Sequence, residues 1–132
     1  MVPRPPVSRL IVALLFLVSG LNQLVQVPSE LFDPDGLPRL GVLHVLAGLP
    51  GIATAWGAWR ATRWAWATSL VWAIATATLI LSLESLLHLP PVASRGFGTA
   101  AVTVGLLGAL SSWYLFRAAR RPAGNVSRAP RD

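Results

Sequence analysis

The chain has 132 residues and a formal net charge of +6, carried by eleven arginines without a single lysine, and it contains no cysteine. The length sets one domain, and the missing cysteines exclude disulfides, thiolate metal sites and the four-helix membrane thiol oxidoreductases. The positive charge is not a nucleic-acid signature, because the arginines collect at the ends of four apolar runs, 10–27, 40–59, 64–87 and 97–116, whose one acidic residue is Glu84.

As helices rising about 1.5 Å per residue, these runs reach roughly 27–36 Å, enough for a hydrocarbon core of about 30 Å. A membrane strand would need only about 10 alternating residues, and these runs are longer and do not alternate. Residues 1–8 form a short proline-rich arm. The first span, 10–27, follows Arg4 and Arg9 as a signal peptide would, but residues 22–27 offer no small-x-small cleavage site, so it reads as a retained anchor. The connection 28–39 holds Glu30, Asp33 and Asp35, and Asp33-Pro34-Asp35-Gly36 is a turn sequence. The second span, 40–59, returns to the tight turn 60–63. The third covers 64–88, since Pro90-Pro91 cannot continue a helix and biases Leu89 away from helical angles. Residues 89–96 are expected to be a second external loop. The fourth span, 97–116, leads into a basic tail, 117–132.

Nine of the arginines lie before residue 10, in the 60–63 turn or after residue 116. An excess of arginine on alternate connections marks the cytoplasmic side, which sets both termini inside. Trp56, Trp59, Trp64, Trp66, Trp113 and Tyr114 map to the same side as an aromatic belt, and Trp72 lies deep. Small residues recur at three- or four-residue spacing: Gly48, Gly51 and Ala55; Ala65, Ser69, Ala73 and Ala77; Ala101, Gly105 and Ala109, with Gly108 before Ser112. Such stripes let helix backbones approach closely in lipid. The expected fold is all-α: an integral membrane four-helix up-down bundle, N-in and C-in, with residues 1–132 as a single transmembrane domain. Arginine without lysine suggests a GC-rich bacterial genome, and hence a multi-pass protein of the bacterial cytoplasmic (inner) membrane.

Polar residues within spans are costly and usually face the bundle or a water-filled cavity. Counted from the arginine of each helix at about 1.5 Å per residue, Asn22 and Gln26, His44, Thr99 and Thr103, and Glu84 and His88 all fall in the outer half. They are the expected ligand-binding set, with Asn22/Gln26, His44 and Thr99/Thr103 around a pocket rimmed by Glu84/His88. Pro50 frees the Leu46 carbonyl and should bend the second span below His44. Two imidazoles and a carboxylate are a ligand set for divalent metals, but His44 misses the level of the other two by ~8–14 Å, which disfavours a metal and also bis-histidine haem. No metal or resident cofactor is therefore expected, only a lipid or quinone, and a proton-linked role for Glu84 and His88 stays open. No nucleophile–base set, phosphate loop or nucleotide motif is present. Arg60, Arg63, Arg117, Arg120 and Arg121 are the expected contacts to anionic lipid.

The stretch 9–24, ending Gly20-Leu21-Asn22-Gln23-Leu24, resembles the opening helix of the DoxX-like family of small four-span bacterial membrane proteins. That family shows an arginine, an apolar run and a Gly-x-x-Lys-Leu ending; here Gln23 stands at the lysine position. The resemblance implies a subunit accompanying redox or quinone-linked enzymes, without a cofactor motif of its own. The leading reading is a non-catalytic accessory or assembly subunit bound to other membrane proteins or to itself. A small-solute or proton-coupled carrier working as an oligomer, and a membrane enzyme acting on a lipid or quinone with His44 and Glu84 as acid and base, are the alternatives.

Overall fold

The computed structural model describes residues 6–87 and 91–120, and the side chains of 6–86 and 95–120. They form four α-helices: α1 (Val7–Phe32), α2 (Pro38–Arg60), α3 (Ala65–Leu87) and α4 (Pro91–Arg120). All four are long and apolar enough to cross a membrane, so the bundle is that of a multi-pass membrane protein in length and composition.

The helices outrun the expected spans, α1 from Val7 within the expected arm and α4 on to Arg120 within the expected tail, and the two largest differences fall at prolines. Pro28 does not open the connection; α1 runs over it to Phe32. The lost backbone donor falls in the last turns, and continuing brings Leu31 against Gly41 and Glu30 to the start of α2. There the Glu30 carboxylate accepts the Leu37 N–H at 2.9 Å, satisfying one of the orphan donors at that helix N-terminus. The connection shrinks to residues 33–37. Likewise Pro91 begins α4 rather than lying in a loop 89–96. A proline suits the first helical position because its fixed φ is helical and its missing N–H would be unbonded anyway.

Consecutive helices pack antiparallel, as the contact pairs show. Along α1 and α2, Gly20 meets Gly48 and Gly51, and Ala13 joins Ala58. Along α2 and α3, Gly57 meets Ala65, and Thr54 Oγ1 lies 2.9 Å from Thr68 Oγ1. Along α3 and α4, Gly108 meets Ala73, and Ser112 donates to the Trp66 carbonyl at 2.9 Å. The small-residue stripes of α2 and α3 are therefore packing faces. On α4 the buried stripe is Ala101, Gly108 and Ser112, whereas Ala109 is exposed. The hairpin α2–α3 forms the middle of the bundle, flanked by α1 and α4.

All four helices meet at the arginine-rich end. Ala13, Ala58, Ala65 and Leu115 bring one residue from each helix into a single cluster. The Ser8 and Tyr114 hydroxyls hydrogen-bond at 2.6 Å, joining α1 to α4. One turn up, Phe16 meets Trp72 edge to face, with centroids 4.8 Å apart.

The turn after α2 closes with Thr62 N–H on the Gly57 carbonyl at 2.9 Å, the six-to-one bond of a Schellman ending. It forces Ala61 to φ 56°, a left-handed conformation that costs a residue with a Cβ. Ala61→Gly is therefore expected to stabilise the fold by about 1 kcal/mol. Thermal unfolding in detergent checks this; an unchanged or lower midpoint would show that the cap carries no strain.

Candidate functional site

The sequence-expected polar residues do not converge on one pocket. They divide between the α1–α2 seam, a groove between α1 and α4, and the exposed face of α4.

In the seam, His44 is buried at 8% exposure, and its Nδ1 lies 2.6 Å from Oε1 of Gln23. With Oε1 as acceptor, the neutral ring donates from Nδ1 and keeps Nε2 as an acceptor. Gln23 was not among the expected site residues. Asn22, Gln26 and Gln23 are neighbours in sequence, but one residue is about 100° of rotation on a helix. Gln23 reaches His44 of α2 and also lines the groove between α1 and α4, where Asn22 stands exposed beside it. The signal that could have found Gln23 is size: it stands three residues after Gly20, where α1 lies closest to α2.

Gln26 is exposed, and its backbone carbonyl accepts the Ser29 hydroxyl at 2.8 Å. Thr99 and Thr103 are exposed on α4, their hydroxyls donated to the Arg95 and Thr99 carbonyls of the same helix at 2.9 and 2.8 Å. Glu84 is half-buried near the end of α3. The α2–α3 register, with Thr54 opposite Thr68, sets residue 78 level with His44, so Glu84 lies about 9 Å further along. His88 lies outside the described residues. Among the described residues no three His, Asp or Glu side chains gather as metal ligands would.

The groove is the larger feature. α1 and α4 meet at the arginine-rich end but stand apart above it, leaving a cleft of about 690 Å³. Its α1 wall runs from Ile11 through Leu15 and Val18 to Ser19 and Asn22; Val104 of α4 stands opposite, and Trp72 and Thr76 of α3 make the floor. Apolar at the arginine-rich end and polar toward the other, the cleft has the character of a site for an amphipathic molecule, and its volume falls in the range of small-ligand pockets. A second groove of about 400 Å³ lies between Leu10, Leu14 and Leu17 of α1 and Ile52, Trp56 and Trp59 of α2, and its lining is aliphatic and indole side chains.

At the arginine-rich end three guanidinium groups stack on rings one turn earlier: Arg60 over Trp56 at 4.6 Å, Arg117 over Trp113 at 4.3 Å and Arg120 over Phe116 at 4.1 Å. Each ring holds its cation at the helix end, where a headgroup phosphate could meet it. Arg63 is exposed in the turn, and Arg121 lies outside the described residues. Replacing Arg60, Arg117 and Arg120 together by glutamine is expected to reduce the share of phosphatidylglycerol that co-purifies with the chain from mixed bilayers. Lipid mass spectrometry reads this, and an unchanged share would show that the arginines select no lipid.

Compared with family models, with curated proteins and with solved structures, the chain matches none.

Proposed function

We propose that the chain is a small integral membrane accessory or assembly subunit of a larger complex, redox- or quinone-linked, and that it holds a lipid or quinone among its helices. The observation that carries this reading is the open side of the bundle. The two flanking helices leave a cleft with polar groups at depth and expose most of their remaining length as apolar surface. A bundle facing only lipid can expose such surface, but a cleft walled by Ser19, Asn22 and Gln23 presents polar groups to an occupant within the membrane. The resemblance of residues 9–24 to the opening helix of the DoxX-like family points the same way. The enzyme reading is weaker, because His44 is engaged by Gln23 and stands about 9 Å along the bundle from Glu84. In this reading the protein sits in the bacterial cytoplasmic membrane with both termini inside, and its partners are the bilayer and other membrane subunits or further copies of itself.

Purification of the tagged chain from its native membrane in mild detergent tests the proposal. The expected result is co-purification of one or more defined membrane proteins in fixed ratio. A lone monomer or a homo-oligomer with no other protein would overturn it.

A further inference from the structure

α1 is the least buried of the four helices, with 17% of its most apolar stretch inside the bundle against 50% for α2. Its residues divide by a seven-residue repeat. Val12, Ala13, Phe16, Ser19, Gly20 and Gln23 are buried or half-buried against the bundle, whereas Val7, Ile11, Leu14, Val18, Leu21 and Val25 are 48–73% exposed. The exposed set alternates steps of four and three residues along the chain. Written as heptads, its a positions are Ile11, Val18 and Val25, and its d positions are Val7, Leu14 and Leu21. β-Branched residues at a with leucine at d are the combination that selects two parallel strands over three or four. Only Val7, at the entry, departs from it. The other flanking helix has no such order: α4 exposes Val102, Leu106, Leu110 and Trp113, without the alternation of steps or of side-chain shape.

A lipid chain adapts to any apolar surface and asks for no repeat, but a repeat of 3.5 residues matches another helix. The parallel arrangement identifies that helix. Copies of one chain insert in the membrane the same way round, so two α1 helices related by a twofold axis along the membrane normal run parallel, with a against a and d against d. In lipid the force is packing rather than apolar burial, so the shape and extent of the face decide. From Val7 to Val25 the face is about 27 Å long, close to the full hydrocarbon core. With Leu15 and Leu17 beside it, it presents roughly 800 Å² on each copy, the amount that each partner of a stable complex covers. Asn22 stands exposed at the edge of the same face, where a neighbouring helix offers groups that an amide can bond and hydrocarbon offers none.

We propose that the outer face of α1 is a self-association surface, on which a second copy of this chain docks as a parallel α1–α1 pair, with Ile11, Leu14, Val18, Leu21 and Val25 packed knobs-into-holes about the twofold axis. Leu15 and Asn22 stand at the rim of this contact and also line the α1–α4 groove, which therefore opens beside the pair.

The proposal names one partner of the subunit described above and rests on that reading, but the two fail separately. That reading fails when no other protein co-purifies; this one is measured between copies of the full-length chain in its membrane. The chain has no cysteine, so a single substituted cysteine is its only thiol. Ile11→Cys, Leu14→Cys, Val18→Cys, Leu21→Cys and Val25→Cys are each oxidised in the membrane with copper phenanthroline, and the linked dimer is read on a non-reducing gel. All five positions are exposed, so the substitutions leave the bundle's interior intact. A disulfide requires Cα atoms within about 7 Å, which a and d positions of a parallel pair satisfy and the flanking e and g positions do not. The expected result is a linked dimer at all five positions and its loss at Leu15→Cys and Leu17→Cys. Leu110→Cys, 63% exposed on α4, sets the level reached by random collision. Yields at that level at the five positions, equal yields at Leu15→Cys and Leu17→Cys, or linkage to a different protein in place of a second copy would each overturn the proposal.

Discussion

Gly20→Val is expected to cost the bundle about 3 kcal/mol of stability or more, the upper range for a side chain forced into a packed interior. A Cβ at this position would stand 2.8 Å from the Gly48 carbonyl oxygen and 2.9 Å from the Ile52 nitrogen. Both are backbone atoms, which cannot swing aside as a side-chain tip can, so α1 must leave α2. Gly51, whose own Cβ would stand 3.0 Å from the Gly20 Cα, shows the closeness from the opposite side. Close approach of backbones is the main source of helix association in lipid, where apolar burial gives no net drive. Gly20→Ala should already be destabilising, although alanine is by about 1 kcal/mol the better helix former. Gly105 supplies the control. A Cβ there meets nothing within 4 Å, so Gly105→Ala should be neutral or stabilising. Reversible unfolding in mixed micelles measures both, and a Gly20→Val midpoint equal to the wild type would show that α1 is not held by this contact.

The same contact shows how far the sequence could be read. Four spans were legible because their residues are apolar over lengths no strand requires, and the stripes of α2 and α3 because glycine and alanine recur on one face. The ends were not, because a proline that forbids a helix interior is tolerated in the last turns of α1 at Pro28 and in the first turn of α4 at Pro91. Gly20 belongs to no run of small residues. Its partners, Gly48 and Gly51, lie on another helix, and only the three-dimensional register joins them. Polar residues were legible as a set in one half of the bundle but not as partners, since of adjacent Asn22 and Gln23 it is Gln23 that reaches His44.

Gln23 and His44 lend themselves to a double-mutant cycle whose asymmetry is the test. Gln23→Leu leaves a buried imidazole without its partner, and a buried polar group stranded in this way costs about 1–3 kcal/mol. His44→Leu strands a half-buried glutamine whose long side chain can turn toward the groove, so its cost should be smaller. The double variant removes both polar groups and should be more stable than Gln23→Leu alone. Subtracting the single effects from the double isolates the bond itself, expected at about 0.6–1.7 kcal/mol for a hydrogen bond between helices in lipid. Unfolding in bicelles measures the four proteins under one condition. Additivity within about 0.3 kcal/mol would show that the bond contributes nothing and that His44 is buried for another reason. A measured coupling would instead make this bond the clamp that fixes α1 on α2 one turn beyond Gly20. That clamp lies beside Asn22 at the polar end of the groove, whose lining Gln23 shares, so the bond to His44 also sets the position of that wall.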